Sequence, residues 1–194
     1  LPDGHMGFPG NLKVETTYKL DKSTIDIFIE ASTDKTTLCN FTNHSYFNLD
    51  GTKTIANHNL IVNCENVLPV DKNGIPLSKP VSAKELSLEF KNSRKLNDDG
   101  KPTEIDPNFC ISNTRQNLST NAILSTKNIS LELLSTEPGL QIYTGKGLNS
   151  GNDKGWGGHS YKAFAGIALE PQIWPDSPNP VSYTHLRAHE TVDY

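Results

Sequence analysis

Cysteine is scarce in this chain: Cys39, Cys64 and Cys110 are three thiols in 194 residues, odd in number and widely spaced, with no C-x-x-C pair. Neither a disulfide framework nor a zinc knuckle is indicated by that spacing. The three are read as small buried apolar residues in a reducing compartment, which places the chain in the cytoplasm. No apolar run approaches the roughly 18 residues of a helical membrane span. The opening Leu1-Pro2-Asp3-Gly4-His5 has neither the basic start nor the apolar segment of a signal peptide. Basic blocks are missing as well. The lysines are scattered, and a net charge of -4 with a pI near 5.8 argues against a nucleic-acid surface. A neutral small molecule is the easier partner. Four N-x-[ST] triplets, at Asn40, Asn43, Asn117 and Asn128, are of the kind that arises by chance in a chain rich in Asn, Ser and Thr.

Helical periodicity is nearly absent too, apart from one short turn over residues 83–90. What is there is β. Leu12, Val14, Thr16 and Tyr18 alternate with polar residues, as do Ile25, Ile27 and Ile29 after a turn at residues 20–24, so an antiparallel pair with one wet face is expected. Further strands are expected at 58–64, 129–134, 140–143 and 163–169, between turn signals such as Asp71-Lys72-Asn73-Gly74 and Glu137-Pro138-Gly139. The length suits one domain with a sizeable core. Many short strands with turns between them predict an all-β fold, a large antiparallel sandwich.

Three titratable residues stand out against this background. His44 lies between Asn43 and the Tyr46-Phe47 pair near a strand end, where a histidine is ordinarily a structural hydrogen-bonder. Glu170 follows the β-like run 164–169, with Pro171 placed to end the strand. Its parity with Ala168 and Gly166 aims it at a face of small residues, although a glutamate at a strand end more often faces solvent. Asp106 precedes Pro107, an ordinary turn position. A histidine and a glutamate held in apolar stretches make a general acid and a general base, a pairing suited to proton shuttling on a small polar substrate.

Taken together, the motifs resemble the aldose 1-epimerases, also called galactose mutarotases. The resemblance runs in order through Pro2-Asp3-Gly4 with Gly7-Phe8-Pro9-Gly10-Asn11-Leu12, then Thr42-Asn43-His44-Ser45-Tyr46-Phe47-Asn48-Leu49, then Leu68-Pro69-Val70-Asp71 with Ile75-Pro76. It continues through Asp106 with Asn108-Phe109, Glu137-Pro138-Gly139-Leu140-Gln141-Ile142-Tyr143-Thr144-Gly145, and Gly166-Ile167-Ala168-Leu169-Glu170-Pro171-Gln172 with Pro175-Asp176-Ser177-Pro178-Asn179. The ordered succession over residues 2 to about 180 is what makes it specific.

The resemblance implies a galactose mutarotase-like sandwich and an isomerase acting on free hexoses such as galactose and glucose. It implies Glu170 as base on the anomeric hydroxyl and His44 as proton donor to the ring oxygen. It implies Asp106 as the sugar-binding aspartate, with Asn43 and Tyr46 bordering the substrate and Phe47 and Trp174 as further aromatic candidates. No metal or organic cofactor is implied, nor any nucleic-acid or membrane partner; monomer and dimer both remain open.

Departures from the family pattern generate further expectations. A long N-terminal stretch that carries an arginine and a second histidine in the family has no counterpart here, so 1–180 is read as a partial domain lacking N-terminal strands. Glu104 and Pro107 stand where the family has glycine and histidine, which puts the loop around Asp106 in question. The tail 181–194 departs from the family and reads as an artefact. Other readings are an inactive fragment, a non-catalytic carbohydrate-binding sandwich, a hexose-6-phosphate epimerase, and a glycoside hydrolase using Asp106 and Glu170.

Overall fold

In the computed structural model, which describes residues 1–77, 79–155 and 158–179 together with the backbone of 192–193, the chain separates into two units. One is built from Leu1–Phe41 and takes in Val192–Asp193; the other begins at Thr42. The tail expectation falls mainly on residues 181–191 and 194, outside the described residues. Of the tail, only the short strand Val192–Asp193 is described, antiparallel to residues 30–31.

The first unit is a long hairpin. β1 (Leu12–Asp21) pairs antiparallel with β2 (Thr24–Thr33), Leu12 opposite Thr33 and Asp21 opposite Thr24. The alternation expected from the sequence is present, since Tyr18 faces Ile27 and Leu20 faces Ile25 across the pair. The expectation of a single wet face is not met. Tyr18, Leu20 and Ile25 are 61%, 74% and 64% exposed, while Ile27 and Ile29 are half-buried. At its base the loop is tied by Asp3, whose carboxylate accepts from Gly10 N–H and contacts Lys35.

The second unit is a sandwich of antiparallel sheets. The larger sheet has the order β3 (Tyr46–Phe47), β14 (Ile167–Gln172), β13 (Gly139–Tyr143), β10 (Asn108–Cys110), β5 (Asn66–Leu68), β6 (Val81–Ser82). The smaller runs β12 (Ser130–Ser135), β11 (Ser119–Ser125), β4 (Asn59–Val62), β7 (Arg94–Lys95); a separate ribbon joins β8 (Asn97–Asp98) to β9 (Lys101–Pro102). One core fills the space between the sheets. Leu60, Val62, Ala122 and Leu124 from the smaller meet Val67, Phe109, Leu140, Ile142, Ile167 and Leu169 from the larger, the two-layer arrangement that alternating strands demand. Phe90 and Phe109 meet edge to face at 6.3 Å inside it.

Most expected strands are present, with shifts. The expected helical turn is a short 3₁₀ segment, Ala83–Leu86, capped by the Ser82 hydroxyl, which accepts from Lys84 N–H. β11 is absent from the sequence reading because Ser119, Thr120 and Asn121 interrupt its apolar pattern at a bulge between Thr120 and Ala122. The expectation that Pro171 ends its strand is corrected: β14 runs on to Gln172, with Pro171 opposite Leu140. β3 reaches only Ile167 and Ala168, so β14 is an edge at Pro171, where a sheet accommodates proline.

Candidate active site

β14 separates two faces by alternation. Ile167 and Leu169 enter the core; Ala168 and Glu170 point to the other side. Register then sets their neighbours. Glu170 lies opposite Gln141, which lies opposite Asn108, and Ala168 lies opposite both Tyr143 and Tyr46. One face of three adjoining strands thus gathers Tyr46, Tyr143, Gln141 and Glu170 over small residues.

His44 reaches this face from the segment just before β3. Asn43 Oδ1 accepts from Ser45 N–H at 3.1 Å, a local turn that sets the approach to β3. Beyond it, Asn48 Nδ2 donates to Thr52 O and to Ala165 O, at 2.8 and 2.9 Å, fastening the segment to the start of β14. Leu49 N–H donates to His58 Nε2 at 2.8 Å. His58 is fully buried, and burial lowers its pKa, so it serves as a neutral acceptor. His44 Nε2 finishes 3.5 Å from Glu170 Oε1, the imidazole 52% exposed and the carboxylate side chain 8% exposed.

Asp106 arrives by a different route. The stretch before β10 runs along β13 and its extension: Thr144 N–H donates to Ile105 O at 3.0 Å and Ile105 N–H to Thr144 Oγ1 at 2.9 Å, both residues buried. Gln141 Nε2 donates to Asp106 O and, at 3.3 Å, to Asp106 Oδ1. Glu104 pairs with Lys146 at 2.7 Å on the surface. Glu104 and Pro107 therefore do not prevent Asp106 from approaching the site.

Electrostatics ties these groups together. Burial pushes the Glu170 carboxyl above its usual value, His44 pulls it back, and the Asp106 charge adds to the rise. Asp106 reaches solvent, yet the protein crowded around it raises its pKa; Gln141 opposes the rise and Glu104 adds to it. The Tyr46 phenol is raised by burial first, then by Tyr143, Glu170 and Asp106. Its ring lies 5.1 Å from that of His44 and 6.3 Å from that of Tyr143.

Of the residues singled out in the sequence, His44, Glu170, Asp106 and Tyr46 share one locality, and Asn43 sits beside His44. Phe47 packs against the core, and Trp174, 8% exposed, donates from Nε1 to Pro138 O, so both act as structural aromatics here. Gln141 and Tyr143 were within a recognised motif but without a role, because only the β13–β14 register places them beside Glu170. Cys64 and Cys110 are free, and burial pushes the Cys110 thiol up to about 12. Among the described residues no group of three or more His, Cys, Asp or Glu is gathered as a metal ion requires. No helix among them is long and apolar enough to cross a membrane.

Known proteins resemble this chain in sequence and in fold. The sequence model of the aldose 1-epimerase family matches residues 1–193. Galactose mutarotase of Mus musculus is 35% identical over 184 residues, covering 92% of this chain and 54% of that protein. The Homo sapiens galactose mutarotase is 34% identical over 201 residues, covering 100% of this chain and 58% of its own length. This chain thus spans little more than half of these relatives. The crystal structure of the GalM/aldose epimerase homologue from C. elegans superposes with a TM-score of 0.86 at 27% identity, covering 99% of this chain and 61% of that one.

Proposed function

The chain belongs to the aldose 1-epimerase family, and from that premise we propose that it interconverts the α and β anomers of free hexoses, galactose and glucose, by acid–base opening and closing of the ring. Glu170 takes the proton of the anomeric hydroxyl while His44 gives one to the ring oxygen. The C1–O5 bond breaks as the C1–O1 double bond forms. C1–C2 rotates, and the ring closes on the other face with the proton transfers reversed. Both reacting oxygens hang on one carbon, so acid and base must both reach a single hemiacetal, from opposite sides of it. The observation that carries the reading is the 3.5 Å approach of His44 Nε2 to Glu170 Oε1, with the imidazole exposed to an incoming ligand and the carboxylate sheltered.

Sheltering favours the chemistry. A carboxylate with a raised pKa is a stronger base toward the anomeric hydroxyl. Asp106, Asn43 and Tyr46 are assigned to the sugar hydroxyls, with Asp106 as a two-oxygen acceptor. Phosphorylated sugars are disfavoured by Asp106 and Glu170, whose mutual repulsion extends to a further anion. Cys64 and Cys110, neither of them in a disulfide, support a cytoplasmic setting.

Polarimetry on freshly dissolved α-galactose and α-glucose tests the proposal. Optical rotation is expected to decay faster with the chain than in buffer, and Glu170→Gln is expected to remove about 10²–10⁴-fold of the enhancement. Equal decay with the chain, the variant and buffer would leave a sugar-binding or inactive fragment.

A further inference from the structure

Among the described residues, little holds the imidazole of His44. Residues 36–45 form no regular element, its side chain is half-exposed, and the contact to Glu170 at 3.5 Å lies at the limit of a hydrogen bond, too loose to define a ring plane. Tyr46, by contrast, is fixed from several sides. Its backbone pairs with Ala168 in β14. Gly166 lies bare against it, where an added Cβ would come within 3.0 Å of Tyr46 Cβ. The Tyr143 ring meets it at 67°, near edge to face, and Tyr143 is itself held by its hydroxyl, which accepts from Gly147 N–H at 2.6 Å. The chain of fixed parts ends at His44, whose ring lies against that of Tyr46 at a tilt of 40°.

We propose that Tyr46 is a positioning residue, whose ring holds the His44 imidazole with Nε2 toward Glu170. The ring does this work and the hydroxyl does not. The kinetic consequence rests on the epimerase reading; the placement of the imidazole does not. Losing the ring frees the imidazole to rotate away, and a misplaced proton donor lowers the rate of the step it serves more than it weakens binding.

Tyr46→Leu and Tyr46→Phe are compared in the chain, with His44 resonances assigned through His44→Gln. In the parent, the imidazole protons of His44 are expected to carry a ring-current displacement and to shift when Glu170 is changed to Gln. Tyr46→Leu removes the ring current with the ring itself; it should also abolish the response to Glu170→Gln and lower kcat about tenfold or more with KM changed far less. Tyr46→Phe should restore both signals and kcat, with any loss of a hydroxyl contact to the sugar appearing in KM. Gly166→Ala supplies a second route. It displaces the Tyr46 ring with its chemistry intact, and should lower kcat and disturb both signals in the same way. A Phe variant as impaired in kcat as the Leu variant, or a Leu variant whose His44 resonances still respond to Glu170→Gln, would overturn the proposal. If no chain accelerates mutarotation, the epimerase reading falls and the spectra alone decide on Tyr46.

Discussion

Glu170 couples the chemistry of the site to the stability of the fold. Its pKa is raised in the folded state, so the native protein holds that proton more tightly than the unfolded chain does. The corresponding stability is fully present below the ordinary glutamate value of 4.5 and is lost as pH rises through the raised one. At pH 7 the buried charge is therefore a burden. Glu170→Gln should be more thermostable than the parent at pH 7, with the gain vanishing below about pH 4.5, where both states carry a neutral carboxyl. Calorimetry at the two pH values checks this, and a variant less stable at pH 7 would show that the attraction of His44 outweighs desolvation. His44 and Glu170 were visible in the sequence because a titratable group in an apolar or strand-like stretch is costly without a purpose. Gln141 and Tyr143 were not visible as site residues, since a strand gives no sign of which strand lies beside it.

Among the strands, legibility followed unbroken pattern more than length, since the seven-residue β11 was hidden by its bulge. β1 and β2 show their alternation over ten residues each, whereas β3 and β10, of two and three residues, carry no period, although both help to build the site. The sheet supplies what short strands lack in pattern. β13 begins at Gly139, where an added Cβ would lie 2.6 Å from Asn108 Oδ1, 2.9 Å from Gln172 O and 2.9 Å from Trp174 Cδ1. Two of those neighbours belong to the flanking strands β10 and β14. Gly139→Ala should therefore cost about 1–3 kcal/mol by wedging the sheet apart, read from the midpoint of urea unfolding. An unchanged midpoint would mean that the sheet yields there without strain.

At the scale of the whole molecule, the two units differ in how they are held together. The second has a filled core; the first has a ribbon whose apolar residues meet water. A face of that kind favours association and binding of apolar dyes. Ile25→Lys should reduce both the anilinonaphthalene sulfonate fluorescence of the chain and its sedimentation as aggregates. Unchanged dye binding would place the exposed apolar surface elsewhere. Periodicity in the sequence identified this ribbon but not its exposure, because alternation reports which side chains share a face and not what covers that face.

Antiparallel pairing of β14 with β13 has a further consequence. Side chains alternate every residue, so a slip of one position would turn Glu170 toward the interior and bring Leu169 out to face the ligand. A misthreaded molecule would then be chemically silent rather than sluggish. The specific activity of a refolded preparation would thus count the molecules whose strands found the right partner atoms, making turnover a gauge of folding fidelity.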